Sequence, residues 1–223
     1  MNFHIEKASS KILLLLLLAD FAFVLSHIIY RIIPGSNDIY SIDTDGGYAE
    51  MFQYIKEYWI LIILLILALR RKRIIYFAWS SLFLYFLLDD SLRIHERFGI
   101  YLAKYFEFKP MFELRAQDFG ELAVSVIVGL LLFSFIGVSY LFSDTVAKRI
   151  SKHLFIWVMV LAFFGVMVDM LHPIIPMGGS LIEDGGEMLV TSIILWYVLK
   201  LWIEPLKQEK LNEQLINIHT EIH

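Results

Sequence analysis

The amino-acid sequence predicts an all-α protein, a polytopic transmembrane bundle of about six helices. Hydrophobic residues make up 58% of the 223 residues, and the mean hydropathy is +0.66, which is too apolar for a soluble domain of this length. Several apolar runs also approach the roughly 20 residues that an α-helix needs to cross a bilayer core. We therefore expect a single transmembrane domain over residues 1–203 and a polar cytoplasmic tail over 204–223.

The predicted spans are the apolar runs between polar or helix-breaking segments. Residues 34–50 hold a proline, three glycines and four acids, so they form a loop. Residues 97–116 alternate charged and aromatic side chains, which indicates an amphipathic segment or a loop. Pro173 and Pro176 cannot continue the fifth helix. The expected spans are residues 11–33, 52–69, 74–96, 117–142, 153–172 and 182–203.

A short pattern occurs twice, each time at the start of a long apolar run. Residues 117–121 read QDFGE and residues 183–187 read EDGGE. Each copy follows another apolar run that closes on acids and a histidine. This arrangement indicates a duplicated helical hairpin, formed by the third and fourth and by the fifth and sixth predicted helices.

The distribution of lysine and arginine predicts the orientation in the membrane. Basic residues lie near the N-terminus, at 70–73, at 148–152 and in the tail, whereas the segments 34–50 and 173–181 have none. Because positive charge marks the cytoplasmic side, both termini are expected in the cytoplasm. The tract at 70–73 is then a cytoplasmic anchor, and no nucleic-acid partner is expected.

This orientation gathers the unusual acids and histidines near the outer ends of the third to sixth helices. Residues three or four apart share a helix face, so each copy of the pattern presents its acids together. His95 does not align with Asp89 on an ideal helix and would need an unwound helix end. The candidate metal ligands are Asp89, His95, Glu96, Asp118, Glu121, Asp169, His172, Glu183, Asp184 and Glu187.

The charge of this cluster favours a bound cation. One Asp at mid-membrane costs about 2.5–3.5 kcal/mol, and crowded acids repel one another without a counter-charge. Arg93 supplies a single positive charge, so we expect a divalent metal, iron or zinc. The inventory of carboxylates and histidines is similar to that of di-iron carboxylate bundles, although their Glu-x-x-His pairs are missing. Two alternatives remain: acids that cap helices at the membrane surface, and a proton or cation pathway.

The function expected from this cluster is a metal-dependent membrane enzyme acting on a lipid or another amphiphile. A zinc ion would suit a hydrolase and iron an oxidase, with Glu121 or Glu187 as general base. The alternative is a transporter, channel or sensor for protons or divalent cations, and a structural subunit is a third possibility. The cytoplasmic halves of the third to sixth predicted helices carry no buried acid, which favours a closed binding site over a transport pathway. The chain has no cysteine, which excludes disulfides and thiolate ligands.

Overall fold

The computed structural model describes residues 2–111, 114–168 and 179–221, with side chains for 9–111, 114–166, 168 and 179–203. Over these ranges the chain is all-α, as predicted, and has no β-strand. The seven helices are α1 (Asn2–Ile32), α2 (Tyr48–Arg71), α3 (Ile74–Leu92), α4 (Ile94–Tyr105), α5 (Ala116–Leu141), α6 (Thr145–Ala162) and α7 (Gly179–Glu221). A 3-10 turn (Asp38–Tyr40) follows α1, and a π-helical turn (Phe163–Val168) continues α6.

Five of these helices are long and apolar enough to cross a membrane: Ser9–Ile32, Tyr48–Arg71, Ala116–Leu141, Thr145–Val166 and Gly179–Ile203. Their outer faces expose large aliphatic side chains, for example Leu15 on α1 (67% exposed) and Leu131 on α5 (68%). Such continuous apolar surface is typical of helices that face lipid. The protein is therefore an integral membrane protein with several spans. Helix α3, which corresponds to the third predicted span, carries Asp89 and Asp90 in its last turn and is not among the five.

The predicted helix over 74–96 is wrong at its end, because the chain breaks at Arg93. Arg93 has a positive φ of 53° and separates α3 from α4. The backbone N–H of Arg93 donates to the Asp89 carbonyl, and the backbone N–H of His95 donates to Asp89 Oδ1 at 2.7 Å. The Asp89 side chain thus accepts a hydrogen bond from a backbone N–H in the first turn of α4, as the side chain of an N-cap acid does. The first nine residues of the segment 97–116, which was expected to be amphipathic or a loop, are helical and belong to α4.

Two further boundaries differ from the prediction. Helix α6 begins at Thr145 instead of 153, because Asp144 Oδ1 accepts a hydrogen bond from the backbone N–H of Ala147 at 2.8 Å and caps the helix. The tail from 204 continues α7 as a helix to Glu221, in a stretch rich in leucine, lysine, glutamate and glutamine, which are good helix formers.

Salt bridges and hydrogen bonds group the loops at two ends of the bundle. At one end Arg73 pairs with Asp144 at 2.9 Å, which joins the α2–α3 connection to the start of α6. At the other end Arg93 pairs with Asp45 at 2.8 Å, which joins the α1–α2 connection to the α3–α4 break. The apolar core between these ends is formed mainly by α2, α3, α6 and α7, with Ile136 of α5. Its fully buried side chains include Ile60, Leu64, Ile75, Trp79, Phe83, Leu154, Ile194 and Val198.

Candidate functional site

A cavity of about 860 Å³ lies among helices α2 to α7, and its lining changes character along the bundle. Toward the end that holds the α3–α4 break, the lining is polar: Gln53, Glu57, Asp89, Asp90, Arg93, His95, Glu96, Arg115, Gln117, Asp118, Glu121, Glu183 and Glu187. Further along α3, α5 and α6 the lining is apolar: Leu82, Phe86, Leu132, Phe133, Val158 and Leu161. The cavity therefore offers a charged end and a hydrocarbon end to one ligand.

Most of the predicted site residues lie around this space. The cavity is lined by Asp89, His95, Glu96, Asp118, Glu121, Glu183 and Glu187, from α3, α4, α5 and α7. Asp184 lines a neighbouring cavity of about 140 Å³, which shares Asp89, His95 and Glu187 with the larger one. Asp169 and His172 lie outside the described residues.

His95 and Asp89 form the best-defined pair of the site. His95 Nδ1 and Asp89 Oδ2 are 2.9 Å apart, so the break at Arg93 provides the unwound helix end that this pairing requires. The hydrogen bond to Asp89 raises the pKa of His95 above its ordinary value, and the negative charge of Glu121 acts in the same direction. The His95 side chain is 33% exposed, which leaves it accessible from the cavity.

Two of the predicted ligands are paired with arginines. The Arg93 Nε contacts both carboxylate oxygens of Glu96 at 2.9 Å. Asp118 accepts hydrogen bonds from the backbone N–H of Arg115 at 2.7 Å and from its guanidinium at 2.7 and 3.0 Å. Asp118 thereby caps α5, in the manner that the helix-cap alternative expects.

The described residues do not form a metal centre. In the described part of the chain, no group of three or more histidines or acids is placed to hold a metal ion. The predicted ligands Asp169 and His172 lie outside the described residues, so the divalent metal stays a prediction.

Sequence reasoning missed a buried polar group on α2, formed by Gln53, Lys56 and Glu57. All three are at most 6% exposed. Lys56 Nζ lies 3.1 Å from Asp20 Oδ1, where both side chains are 1% exposed. Asp20 of α1 therefore pairs with Lys56. His27, about two turns further along α1, has its Nδ1 2.9 Å from Ser41 Oγ. The available signal was the spacing of three and four residues, which places these polar side chains on one face of an apolar helix.

Glu57 is the deepest of the acids that line the cavity. Its carboxyl group lies close to that of Asp90 near the end of α3. Gln53 Nε2 donates to Thr191 Oγ1 at 2.8 Å and lies 3.4 Å from Glu57 Oε1. Helices α2, α3 and α7 thus meet at this group.

The two glutamates predicted as general bases occupy equivalent positions against glycines. A Cβ on Gly99 would lie 2.6 Å from Glu121 Cγ, and a Cβ on Gly165 would lie 2.0 Å from Glu187 Oε1. Each glutamate follows its glycine by 22 positions. At Gly99 only glycine permits this approach, because the added Cβ would also lie 2.6 Å from the backbone nitrogen of Glu121. At Gly165 the added Cβ would meet only the end of the Glu187 side chain.

Gly165 lies in the π-helical turn Phe163–Val168. Such turns are rare and are frequent at functional sites. Here the turn places Gly165 against Glu187 and Phe164 against Gly186, where an added Cβ would lie 2.3 Å from the phenyl ring. The turn thus brings α6 into close contact with the start of α7.

Comparison with known proteins gives a family and no activity. No curated protein matches the chain. No solved structure matches it either. The family DUF8692, described as a domain of unknown function, matches residues 12–203, which include the whole cavity lining. The chain therefore belongs to the DUF8692 family.

Proposed function

We propose that this protein is a membrane-embedded enzyme that binds a lipid or another amphiphile. The observation that carries the proposal is the single cavity with a charged end and an apolar end. Ligand pockets are typically apolar with a few convergent polar groups, and a perturbed titratable group among them marks a candidate site. The polar headgroup would lie among the acids and His95, with the hydrocarbon part beside Phe86, Leu132 and Phe133.

The chemistry we propose is proton transfer by His95 at the headgroup. When Nδ1 donates its hydrogen to Asp89, the other ring nitrogen, Nε2, is the one that exchanges a proton with a ligand. Asp89 then orients the ring and stabilises its charged form. Glu121 or Glu187 would act as a second acid or base, since both line the cavity.

In the membrane, we propose cytoplasmic termini and a cavity whose charged end faces the outer side. The pair Arg73–Asp144 supports this orientation, since it groups the basic tract 70–73 with the basic start of α6 at one end of the bundle. The charged end of the cavity lies with Arg93 and Asp45 at the opposite end. The bias of positive charge toward the cytoplasm supports an outward position for that end.

A divalent metal, iron or zinc, remains part of the proposal because of the charge of the lining. Among the described lining residues, eight carboxylates face two guanidinium groups. A metal held with Glu121 and Glu187 would polarise an oxygen of the headgroup or activate water. The second hairpin, with Asp169 and His172, would supply the remaining ligands.

Transport of protons or divalent cations is a second candidate, favoured by the polar group on α2. Asp20, Lys56 and Glu57 extend the line of titratable groups from the cavity into the bundle. Beyond them, Ile60 and Leu64 are fully buried in the apolar core. That core would interrupt a pathway, so a closed site fits better. Proton flux into liposomes that contain the protein would favour transport if it depends on Glu57.

The enzyme proposal is tested with purified protein in lipid nanodiscs supplied with a total lipid extract. Mass spectrometry before and after incubation should show one lipid class converted by the wild type. His95→Gln should slow the conversion about 100-fold or more, the usual contribution of a general acid or base.

A matched pair of glycine variants tests where the substrate binds. A Cβ on Gly129 or on Gly137 meets nothing within 4 Å, but only Gly129 lines the cavity. Gly129→Phe should abolish conversion by filling the apolar end, whereas Gly137→Phe should leave it unchanged. Equal effects of the two variants, or a lipid composition that the wild type leaves unaltered, would refute the proposal.

A further inference from the structure

In the described part of the chain, two side chains of α2 each hold a buried oxygen atom at the cavity that lacks a hydrogen-bond donor. Gln53 Oε1 and Glu57 Oε2 are buried and have no such partner among the described residues. Their side chains are 6% and 2% exposed, and both residues line the cavity. Buried acceptors are almost always satisfied in folded proteins, so these two indicate a donor supplied from the cavity.

The orientation of the Gln53 amide is fixed by its own hydrogen bonds. Gln53 Nε2 donates to Thr191 Oγ1 and lies near Glu57 Oε1, so the amide nitrogen has its acceptors within the protein. The carbonyl oxygen Oε1 is then the atom left for a ligand. Beside it, the carboxyl groups of Glu57 and Asp90 lie close together in the cavity lining.

The cations described nearby are already engaged. Lys56 has three N–H donors, and they reach Asp20 Oδ1 at 3.1 Å, the Met188 carbonyl at 2.8 Å and Ser192 Oγ at 3.3 Å. Arg93 pairs with Asp45 and Glu96, and Arg115 with Asp118. Among the described residues, the pairs made by these cations favour a positive charge for Glu57 and Asp90 that comes from a proton or from the ligand.

We propose that Gln53, Glu57 and Asp90 form the recognition site for a protonated primary amine. This inference rests on the proposed amphiphile cavity and specifies its ligand as an amphiphile with a cationic amine headgroup. An ammonium group carries one charge and three N–H donors, which matches an amide oxygen and two carboxyl groups. The apolar lining at Phe86 and Leu132 would receive the alkyl chain.

The experiment measures binding to the protein in nanodiscs of neutral lipid. Dodecylamine supplies both the charge and the chain, dodecanol the chain alone, and ethylamine the amine alone. Dodecyltrimethylammonium keeps the charge but has no N–H donor. We expect dodecylamine to bind at least about tenfold more tightly than each of the other three.

Three variants assign the effect to this site. Glu57→Gln and Asp90→Asn should each remove the preference for dodecylamine over dodecanol. Glu107→Gln removes the same charge from an exposed loop and should keep the preference. Gly129→Phe should weaken the binding of both dodecyl compounds.

Each outcome bears on one of the two proposals. Equal binding of dodecylamine and dodecanol, with both weakened by Gly129→Phe, overturns the amine inference but supports the cavity as the binding site. In that case a proton shared by Glu57 and Asp90 would neutralise the pair. Ethylamine that binds as tightly as dodecylamine overturns the amphiphilic ligand. Binding of every probe that is insensitive to Gly129→Phe overturns the proposed function itself.

Discussion

His95 Nδ1 and Asp89 Oδ2 lie 2.9 Å apart across a break in the helix, although the two residues are six positions apart in the chain. The break is a left-handed residue, Arg93, whose guanidinium pairs with Glu96 and with Asp45. Left-handed backbone at a non-glycine residue costs about 1–2 kcal/mol. The pairs made by Arg93 and the cap made by Asp89 offset that cost, so the structure maintains a local strain that positions His95.

Asp89→Asn should lower the pKa of His95, because the hydrogen bond to the Asp89 carboxylate is the main cause of its raised value. A histidine whose pKa is raised in the folded state stabilises the protein below its unfolded pKa of about 6.5. That contribution is lost as the pH rises through the folded pKa. NMR titration of His95 would measure the shift, and unfolding at pH 5 and pH 9 would measure the loss.

Asp38→Asn provides the matched control for this titration, since Asp38 lies in the α1–α2 connection. It should leave the His95 titration unchanged. A His95 pKa that is the same in Asp89→Asn and in the wild type would contradict the pairing.

Gly120→Ala should destabilise the bundle. A Cβ on Gly120 would lie 2.0 Å from the carbonyl oxygen of Gly99, so α4 and α5 must move apart. Overpacking of this kind typically costs about 1–3 kcal/mol. Gly137→Ala is the control, because its Cβ meets nothing within 4 Å and alanine favours the helix by about 1 kcal/mol. Thermal unfolding in detergent should therefore move in opposite directions for the two variants.

The sequence predicted the helical class and the position of the acids, because hydrophobic runs determine helices in a membrane protein and charged residues inside them are rare. It did not predict the break at Arg93, since neither glycine nor proline marks it. The sequence did not predict the burial of Lys56 and Glu57, because both lie near the start of a span, where charged residues are common. Their burial arises from contacts with Asp20, Met188 and Thr191 of distant helices, which local periodicity does not reveal.

The duplicated hairpin stays a prediction, but the helices that would form it differ from those predicted. Gly99 of the first copy lies on α4, so the partner of α5 in that copy is α4 and not the predicted helix over 74–96. Gly165 of the second copy lies on the π-helical turn after α6. The glycine contacts of Glu121 and Glu187 support the duplication through their equal spacing of 22 positions, although Gly99 meets the backbone of Glu121 and Gly165 only the carboxylate end of Glu187.

Lys56→Met should destabilise the protein by about 3–5 kcal/mol, the usual cost of leaving one member of a buried ion pair without its partner. Both side chains of the pair Lys56–Asp20 are 1% exposed. The double variant Asp20→Leu/Lys56→Met removes both charges and should recover most of the loss. Additive losses in this double-mutant cycle would mean that the two side chains do not stabilise each other.

Metal analysis tests the cofactor predicted from the acids. Purified wild-type protein should contain iron or zinc in stoichiometric amount, and Glu187→Gln and Asp118→Asn should each reduce it. We expect the larger loss for Glu187→Gln, because the Asp118 carboxylate is already bound by Arg115 and caps α5. Glu107→Gln is the control, since Glu107 is exposed and lines neither cavity. If the purified wild-type protein contains no metal, the result excludes metal-dependent chemistry in this cavity. The acids would then be neutralised by Lys56, Arg93, Arg115 and protons.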